Sequence, residues 1–423
     1  MTTSPLAELA WRELIVQHTE GLLESLERGP VSAYCGFDPT APSLHVGNLV
    51  PIMGLVHLQR AGHRPIALVG GGTGLIGDPS GKASERPLAN TETVSANAKN
   101  LRSQLERFLD FSGPAAALMR DNADWLTKLR AVDFMRDVGK HFSINYMIAK
   151  ESVKARLEEG ISYTEFSYML LQAYDYLELY RREGAKLQIG GSDQWGNITA
   201  GMELIRRSEG GEAHALTLPL VTTASGIKFG KTEAGAVWLD ASLTSPYKFY
   251  QFWINADDRD VGRYQRFFTL LSRAEIEAWD AEVAEHPERR EAQRVLAKDV
   301  TTRVHGAVAA QMCEEMSGLL FGGAESQTLS KAALVALGKE IPFLEVSPPA
   351  DGMLDVLDLF VGARLVASKG TGRRLLEQGG LYVNGARLAA GDRAIALDSL
   401  LEGRHLLLRK GAREYCLVAV LGA

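Results

Sequence analysis

Two short apolar runs and a third strand-like segment in the first half of this chain each stop in a turn of small or turn-forming residues. Val31–Phe37 runs into Asp38-Pro39-Thr40, Ile66–Val69 into Gly70-Gly71-Gly72, and Lys186–Ile189 into Gly190-Gly191-Ser192-Asp193. Short continuous runs bounded in this way suit strands buried on both faces, as in parallel sheets. Helical stretches lie between them. Ser43 reads as the N-cap of a helix through His45, Leu49, Met53, Val56 and His57 to Gly62, and Asn197–Arg207 reads as another. Strands alternating with helices predict an α/β fold with a parallel sheet and crossover helices. Ligands of such sheets sit beyond the carboxyl ends of the strands, so the turns just named are where a site is expected.

From about Ser245 to Gly338 the pattern becomes helical. Ser245-Pro246 opens one helix with proline at its first position, and Ser272 with Glu275 forms a capping box before Ile276 and Trp279. Leu296, Val300 and Val304, four apart, share a helical face. Pro342, Pro348, Pro349 and Gly352 then read as a linker, and the last segment mixes a helix, an Asn384-Gly385 turn and short strands such as Leu406–Arg409. The expected organisation is residues 1–225 as the α/β domain and 226–340 as a loop and helical domain. Residues 341–352 follow as a linker and 353–423 as a small α+β domain. A chain of 423 residues accommodates this at about 150 residues per domain.

Composition closes off several classes. A net charge of -6 excludes a chain that is basic throughout, so any contact with nucleic acid must come from a local patch. Three scattered cysteines, without a CxxC pair, argue for reduced thiols and against a disulfide framework or a zinc site. The N-terminal stretch carries Glu8, Glu13 and Glu20, and no run reaches the roughly 18 apolar residues of a membrane span. A cytoplasmic protein without membrane or bound metal is the expectation.

Three clusters carry chemistry. In the first, Asp38-Pro39-Thr40 leads to His45-Val46-Gly47-Asn48 at a helix start, where unpaired N–H groups and the helix dipole suit phosphates. Gly47 would let a flat base approach the backbone. In the second, Lys228-Phe229-Gly230-Lys231-Thr232 places two ammonium groups three residues apart beside a hydroxyl, able to grip a pyrophosphate as its charge develops. Each run by itself also suits an ordinary helix start or a solvated basic loop. In the third, Tyr168, Gln172 and Asp175 stand at i, i+4 and i+7, which puts a phenol, an amide and a carboxylate on one helical face.

The first run resembles the HIGH motif of class I aminoacyl-tRNA synthetases, with Asn48 in place of the final histidine. The second resembles their KMSKS motif. Tyr168-Met169-Leu170-Leu171-Gln172-Ala173-Tyr174-Asp175 and Gln188-Ile189-Gly190-Gly191-Ser192-Asp193-Gln194-Trp195-Gly196-Asn197 are similar to the substrate-binding segments of bacterial-type tyrosyl-tRNA synthetases. The resemblance spans nearly the whole chain. It implies a Rossmann-like catalytic domain, a helical anticodon-binding domain and a C-terminal S4-like RNA-binding domain. It further implies that Tyr34 and Asp175 bind the phenolic hydroxyl of tyrosine, and that Asp78, Tyr168 and Gln172 bind its ammonium group. Gln194 would face the carboxylate, Asp193 the ribose, Asp38 and Gly47 the nucleotide, and Thr40, His45 and Asn48 the phosphates. Lys82, Arg86, Lys228, Lys231 and Thr232 would surround the leaving pyrophosphate. ATP with Mg2+ is then a substrate, tRNA(Tyr) a partner, no cofactor is tightly bound, and a symmetric dimer forms near Lys140–Ile148.

Residues 351–423 hold ten Lys plus Arg against eight Asp plus Glu, a net +2 in an otherwise acidic chain. Lys369, Arg373, Arg374, Arg387, Arg409, Lys410 and Arg413 form its basic set, and by resemblance Arg373, Arg374 and Lys410 would contact tRNA. Rival readings are a tryptophanyl-tRNA synthetase, whose substrate has no hydroxyl for Tyr34 and Asp175, and a small adenylyltransferase. A synthetase-derived RNA-binding protein without catalysis is the third, and it would tolerate loss of His45, Lys228 or Lys231.

Overall fold

The computed structural model describes every residue except 1–4, 81–88, 151–152, 155–159, 225, 227–228, 233–234, 322–328, 413 and 423, and of Pro5, Lys231 and Thr232 the backbone alone. The chain packs as two units, residues 1–245 with 252–296, and residues 246–251 with 297–423.

In the first unit six strands form one sheet: β1 Gln17–His18, β2 Ser32–Phe37, β3 Arg64–Val69, β4 Leu118–Asp121, β5 Ala185–Gly191 and β6 His214–Leu218. Their order is β1-β6-β5-β2-β3-β4. Only the short β1 runs antiparallel, against β6; the other pairs are parallel, as the buried apolar runs predict. The chain leaves β2 toward β3 on one side, while β5 flanks it on the other. The carboxyl ends of β2 and β5 therefore open a crevice at a topological switch point.

Three helices bear on that crevice: α1 Leu49–Arg60, α2 Tyr163–Glu183 and α3 Trp195–Glu209. Ser162 caps α2 by accepting the N–H of Glu165, and Gly184, at φ +64°, ends it. The cap before α1 differs from the expectation. His45, not Ser43, is the capping residue: its Nδ1 accepts the N–H of Gly47 at 3.0 Å, while Asn48 Oδ1 accepts the N–H of His45 at 3.0 Å. This reciprocal pair starts a 3-10 turn, Val46–Asn48, that leads into α1. Ser43 lies too early to reach those donors. It is buried, its hydroxyl donating to Leu44 O at 2.7 Å and accepting from Gln104 Nε2 at 3.0 Å.

Pro246 begins helix α4, Pro246–Ile254, and α5 Asp258–Phe268 and α6 Arg273–Glu285 follow. The Ser272–Glu275 capping box is present, and Leu296, Val300 and Val304 are all buried. Arg12, itself buried, donates to the carbonyls of Arg266, Thr269 and Leu271 and so satisfies the end of α5 with a cation.

The second unit contains α7 Ala307–Phe321, α8 Lys331–Glu340, α9 Val356–Gly362 and α10 Lys369–Glu377. A five-stranded sheet packs with them; its strands are β9 Phe343–Val346, β11 Leu381–Val383, β12 Ala386–Arg387, β14 His405–Lys410 and β15 Glu414–Val420, in the order β12-β11-β14-β15-β9. β10 Met353–Asp355 pairs separately with β13 Ala394–Ala396. The Asn384-Gly385 turn joins β11 to β12 with both residues at positive φ, as a tight hairpin requires. The linker expectation for 341–352 needs correction, because β9 pairs in parallel with β15. Leu344 and Val346 pack against the core while Phe343 is exposed, and a strand at a sheet edge tolerates the preceding Pro342. Residues 226–245, expected with the helical domain, pack with the first unit. Among the described residues no helix is long and apolar enough to cross a membrane.

Candidate active site

A cavity of about 640 Å3 opens at the carboxyl ends of β2 and β5. Tyr34 on β2 is opposite Gln188 on β5, and both are buried at this cavity. Among the described residues the Tyr34 hydroxyl has no hydrogen-bond partner, and neither does Gln188 Oε1. Burial of this kind pushes the Tyr34 phenol well above its ordinary pKa, with the Tyr176 ring packed edge-on 5.0 Å away.

Helix α2 directs its predicted face at the same space. Asp175, 3% exposed, accepts from Trp125 Nε1 at 2.7 Å and from Asn122 Nδ2 at 2.9 Å. Burial nevertheless dominates and pushes its carboxyl up to about 8, against the pull of those two donors. Two turns earlier, the Tyr168 hydroxyl donates to Asp38 Oδ2 at 2.7 Å, and Thr73 donates to Asp38 Oδ1 at 2.7 Å. Asn122 donates to Thr73 as well, so one hydrogen-bonded chain runs from Asp175 to Tyr168.

A second network binds the loop after β3 to α3. Gln194 Nε2 donates to Asp78 Oδ2 at 2.7 Å, Gln172 Nε2 to Gln194 Oε1 at 3.3 Å, and Asn197 Nδ2 to Gln172 Oε1 at 3.1 Å. Asp78 keeps its turn role too, accepting the N–H of Ser80. Asp38, Asp78 and Asp175 with the amides of Gln172 and Gln194 thus line one space suited to a small zwitterion.

The same cavity is also lined by Thr40, His45, Gly47, Asn48 and Asp193. Because His45 Nδ1 accepts from Gly47, its proton belongs on Nε2, the donor form a phosphate oxygen needs. A Cβ on Gly47 would lie 2.8 Å from the His45 ring, so glycine is required there by the cap itself. Asn48 spends its amide oxygen on His45, which leaves its NH2 group as the donor.

The two sequence motifs meet. Val46 N–H donates to Val237 O at 3.0 Å and Leu239 N–H to Leu44 O at 2.8 Å, so the strand-like limb after the lysine-bearing loop lies against the histidine turn. Gly230, at φ +76°, would drive a Cβ to 2.5 Å from Val46 Cγ2. Lys231 and Thr232 form β7, paired with β8 Gly235–Ala236. Lys82, Arg86 and Lys228 lie outside the described residues.

Sequence reasoning missed Thr73, Asn122, Trp125, Gln188 and Asn197. Asn122 and Trp125 follow directly after β4, so the rule that sites gather at strand ends was the signal available for them. Cys35 borders the cavity, but burial pushes its thiol up to about 12, which argues against a nucleophilic role. In the second unit Arg373 and Arg374 are exposed on α10, while Lys410 pairs with Glu414 at 2.9 Å. Arg387, counted in the basic set, instead caps α10 by donating to Gly379 O and Gln378 O. Arg413 lies outside the described residues.

The raised Asp175 carboxyl has a consequence for stability. The folded chain holds a proton that the unfolded chain, at about 3.9, gives up. This group therefore lowers stability progressively between about pH 4 and 8 and fully above that. Asp175→Asn cannot ionise. Its melting temperature relative to wild type should rise between pH 5 and 8.5, by at least the roughly 2–4 °C that 1 kcal/mol moves in a domain of this size. A pH-independent difference would show that Asp175 is not the titrating group.

The family model for class I tRNA synthetases (W and Y) matches residues 26–322, and that for the tyrosine–tRNA ligase SYY-like C-terminal domain matches residues 334–418. The chain is 54% identical to a tyrosine–tRNA ligase of Anaeromyxobacter dehalogenans over 98% of this chain and 99% of that one. It is 53% identical to that of Geobacillus kaustophilus over 98% and 99%. Among solved structures, the C-terminally truncated mitochondrial tyrosyl-tRNA synthetase of Aspergillus nidulans superposes with a TM-score of 0.68 at 30% identity. That match covers 75% of this chain and 94% of the other.

Proposed function

The chain belongs to the tyrosine–tRNA ligases, within the class I aminoacyl-tRNA synthetases, and from that premise we propose how its residues divide the work. The enzyme activates L-tyrosine with ATP to tyrosyl-adenylate and pyrophosphate, then transfers tyrosine to the 3' end of tRNA(Tyr). The observation that carries the assignment of the cavity is the buried Tyr34 hydroxyl, without a partner among the described residues, in the pocket that also holds Asp175. A buried polar atom without a partner costs about 1–3 kcal/mol, which a phenolic hydroxyl of the substrate would recover. An indole offers no such hydroxyl, and this disfavours the tryptophan reading.

Asp78, Tyr168, Gln172 and Gln194 hold the ammonium and carboxylate groups. Asp38 fixes Tyr168, Asp193 takes the ribose, and Gly47 lies under the adenine. Thr40, His45 and Asn48 donate to the phosphates. Lys82, Arg86, Lys228, Lys231 and Thr232 neutralise the leaving pyrophosphate, with Mg2+ arriving as part of the MgATP substrate. The tyrosine carboxylate attacks the α-phosphate in line, and positioning with charge stabilisation lowers the barrier without a general base. Arg373, Arg374 and Lys410 contact tRNA. Exposed Val132, Met135, Ile144 and Ile148 suit the contact of a homodimer, and the cytoplasm suits its reduced thiols. The test is ATP–pyrophosphate exchange with tyrosine and tryptophan in parallel: tyrosine alone should support it, and equal exchange with tryptophan would contradict the assignment.

Asn48 can be tested separately. Asn48→Ala should slow adenylate formation roughly 10- to 100-fold, the effect of one hydrogen bond to a charged group, with tyrosine affinity nearly unchanged. Asn48→Asp keeps the oxygen that caps His45 but loses the donor, so it should be no faster than the alanine variant. Wild-type turnover in Asn48→Asp would reduce the residue to its capping role.

A further inference from the structure

Helix α5 turns one face toward the upstream flank of the lysine-bearing loop and toward Phe229 within it. Asp260, Arg263, Tyr264 and Phe268 are spaced so that they share that face. On the upstream flank Asp260 Oδ2 accepts the N–H of Ala224 at 2.8 Å, and Arg263 Nη2 donates both to Asp260 Oδ1 at 2.9 Å and to Thr222 O at 2.7 Å. Within the loop itself Phe229, which lies between the two lysines in sequence, stacks on Phe268 at 5.3 Å and meets Tyr264 at 5.1 Å. It also reaches back to the upstream flank, Phe229 N–H donating to Val221 O at 3.4 Å. Asp260 is 3% exposed and does not line the cavity, although Thr222 and Phe229 do.

A buried carboxylate is a poor way to gain stability, since well-packed apolar side chains would hold a helix against a loop at least as well. Its value lies in geometry: it fixes the height of one backbone N–H, two residues from a carbonyl fixed by its own ion-pair partner. The reference point is rigid, because Arg12 secures the far end of α5.

We propose that Asp260, with Arg263, is a positioning residue that sets the loop bearing Lys228 and Lys231 against the nucleotide. This rests on the assignment of those lysines to the leaving pyrophosphate. Asp260 touches no substrate and acts through the Thr222–Ala224 backbone.

The experiment measures tyrosine-dependent ATP–pyrophosphate exchange in the full-length enzyme for Asp260→Ala, Asp260→Asn, Arg263→Ala and Arg263→Lys, beside Lys231→Ala. Tyrosine affinity and melting temperature are read on each. Asp260→Ala should lower kcat roughly 10- to 100-fold and raise the KM for pyrophosphate, with tyrosine affinity within about twofold. Asp260→Asn should recover part of the loss, since its amide oxygen still accepts from Ala224. Arg263, partly exposed, can be replaced with little risk to folding, and Arg263→Lys should exceed Arg263→Ala. If Lys231→Ala is impaired while folded Asp260→Ala and Arg263→Ala keep wild-type kcat and pyrophosphate KM, the positioning role is overturned. The same follows if tyrosine affinity falls as much as kcat, because the effect is then general to the fold. Wild-type exchange by Lys231→Ala would overturn the loop assignment and this inference with it.

Discussion

Phenylalanine should support ATP–pyrophosphate exchange about 10⁵-fold less efficiently than tyrosine, a magnitude known for tyrosyl-tRNA synthetases themselves and carried over to this chain. The physical basis is asymmetric. A phenyl ring fills the same apolar space, yet it strands the Tyr34 hydroxyl and the Asp175 carboxyl in a site where neither can reach water. Asp175 is held by Trp125 and Asn122 and cannot turn away to find another partner. Tyr34→Phe should therefore erode the discrimination by roughly tenfold, mainly by lowering kcat/KM for tyrosine and leaving phenylalanine almost unaffected. Competition kinetics at matched ATP measure both ratios. Discrimination below about 100-fold in the wild type would remove Tyr34 and Asp175 from substrate recognition.

Deleting the chain beyond Glu340 should lower the rate of tRNA charging by about 100-fold or more, while tyrosine-dependent exchange stays within about threefold of the intact enzyme. The cut belongs before β9, because Phe343–Val346 complete the C-terminal sheet and would be left as an unpaired strand by any later truncation. The cavity proposed for the adenylate is built wholly from the first unit, between Tyr34 and Phe229. Arg373, Arg374 and Lys410 are removed with the C-terminal segment. Loss of three phosphate contacts should also flatten the salt dependence of tRNA affinity, by about 0.7–0.9 in the log–log slope per contact. Charging and exchange assays on the same preparation, over a salt series, separate the two steps. Equal charging by both proteins at matched salt would exclude an RNA-binding role for the segment.

Much of this was legible from local pattern. Strands β2, β3 and β5 are largely buried, so short segments that end in turn-forming residues announce them. Tyr168, Gln172 and Asp175 share a face because helical spacing alone puts them there. What escaped depends on contacts remote in sequence. Asn122 and Trp125 grip Asp175 from some fifty residues away, and nothing periodic around them marks that partnership. The Asp260–Arg263 pair reads as an ordinary i,i+3 ion pair until Thr222 and Ala224 are seen against it. At β9 the prolines on either side masked a four-residue alternation too short to outweigh them. His45 was sought as a ligand of phosphate, and its second duty as a helix cap requires knowing where the turn begins.

The central claim is that one cavity receives the phenol at Tyr34 and Asp175 and the nucleotide at His45 and Asn48. A non-hydrolysable tyrosyl-adenylate analogue with a sulfamoyl linkage tests it most directly, by calorimetric titration of the intact enzyme. The analogue should bind with one site per chain, far more tightly than tyrosine, and be displaced competitively by tyrosine and by ATP alike. Asp175→Asn and His45→Ala should each weaken it. Competition by only one of the two substrates, or an affinity indifferent to either substitution, would contradict a single cavity holding both halves.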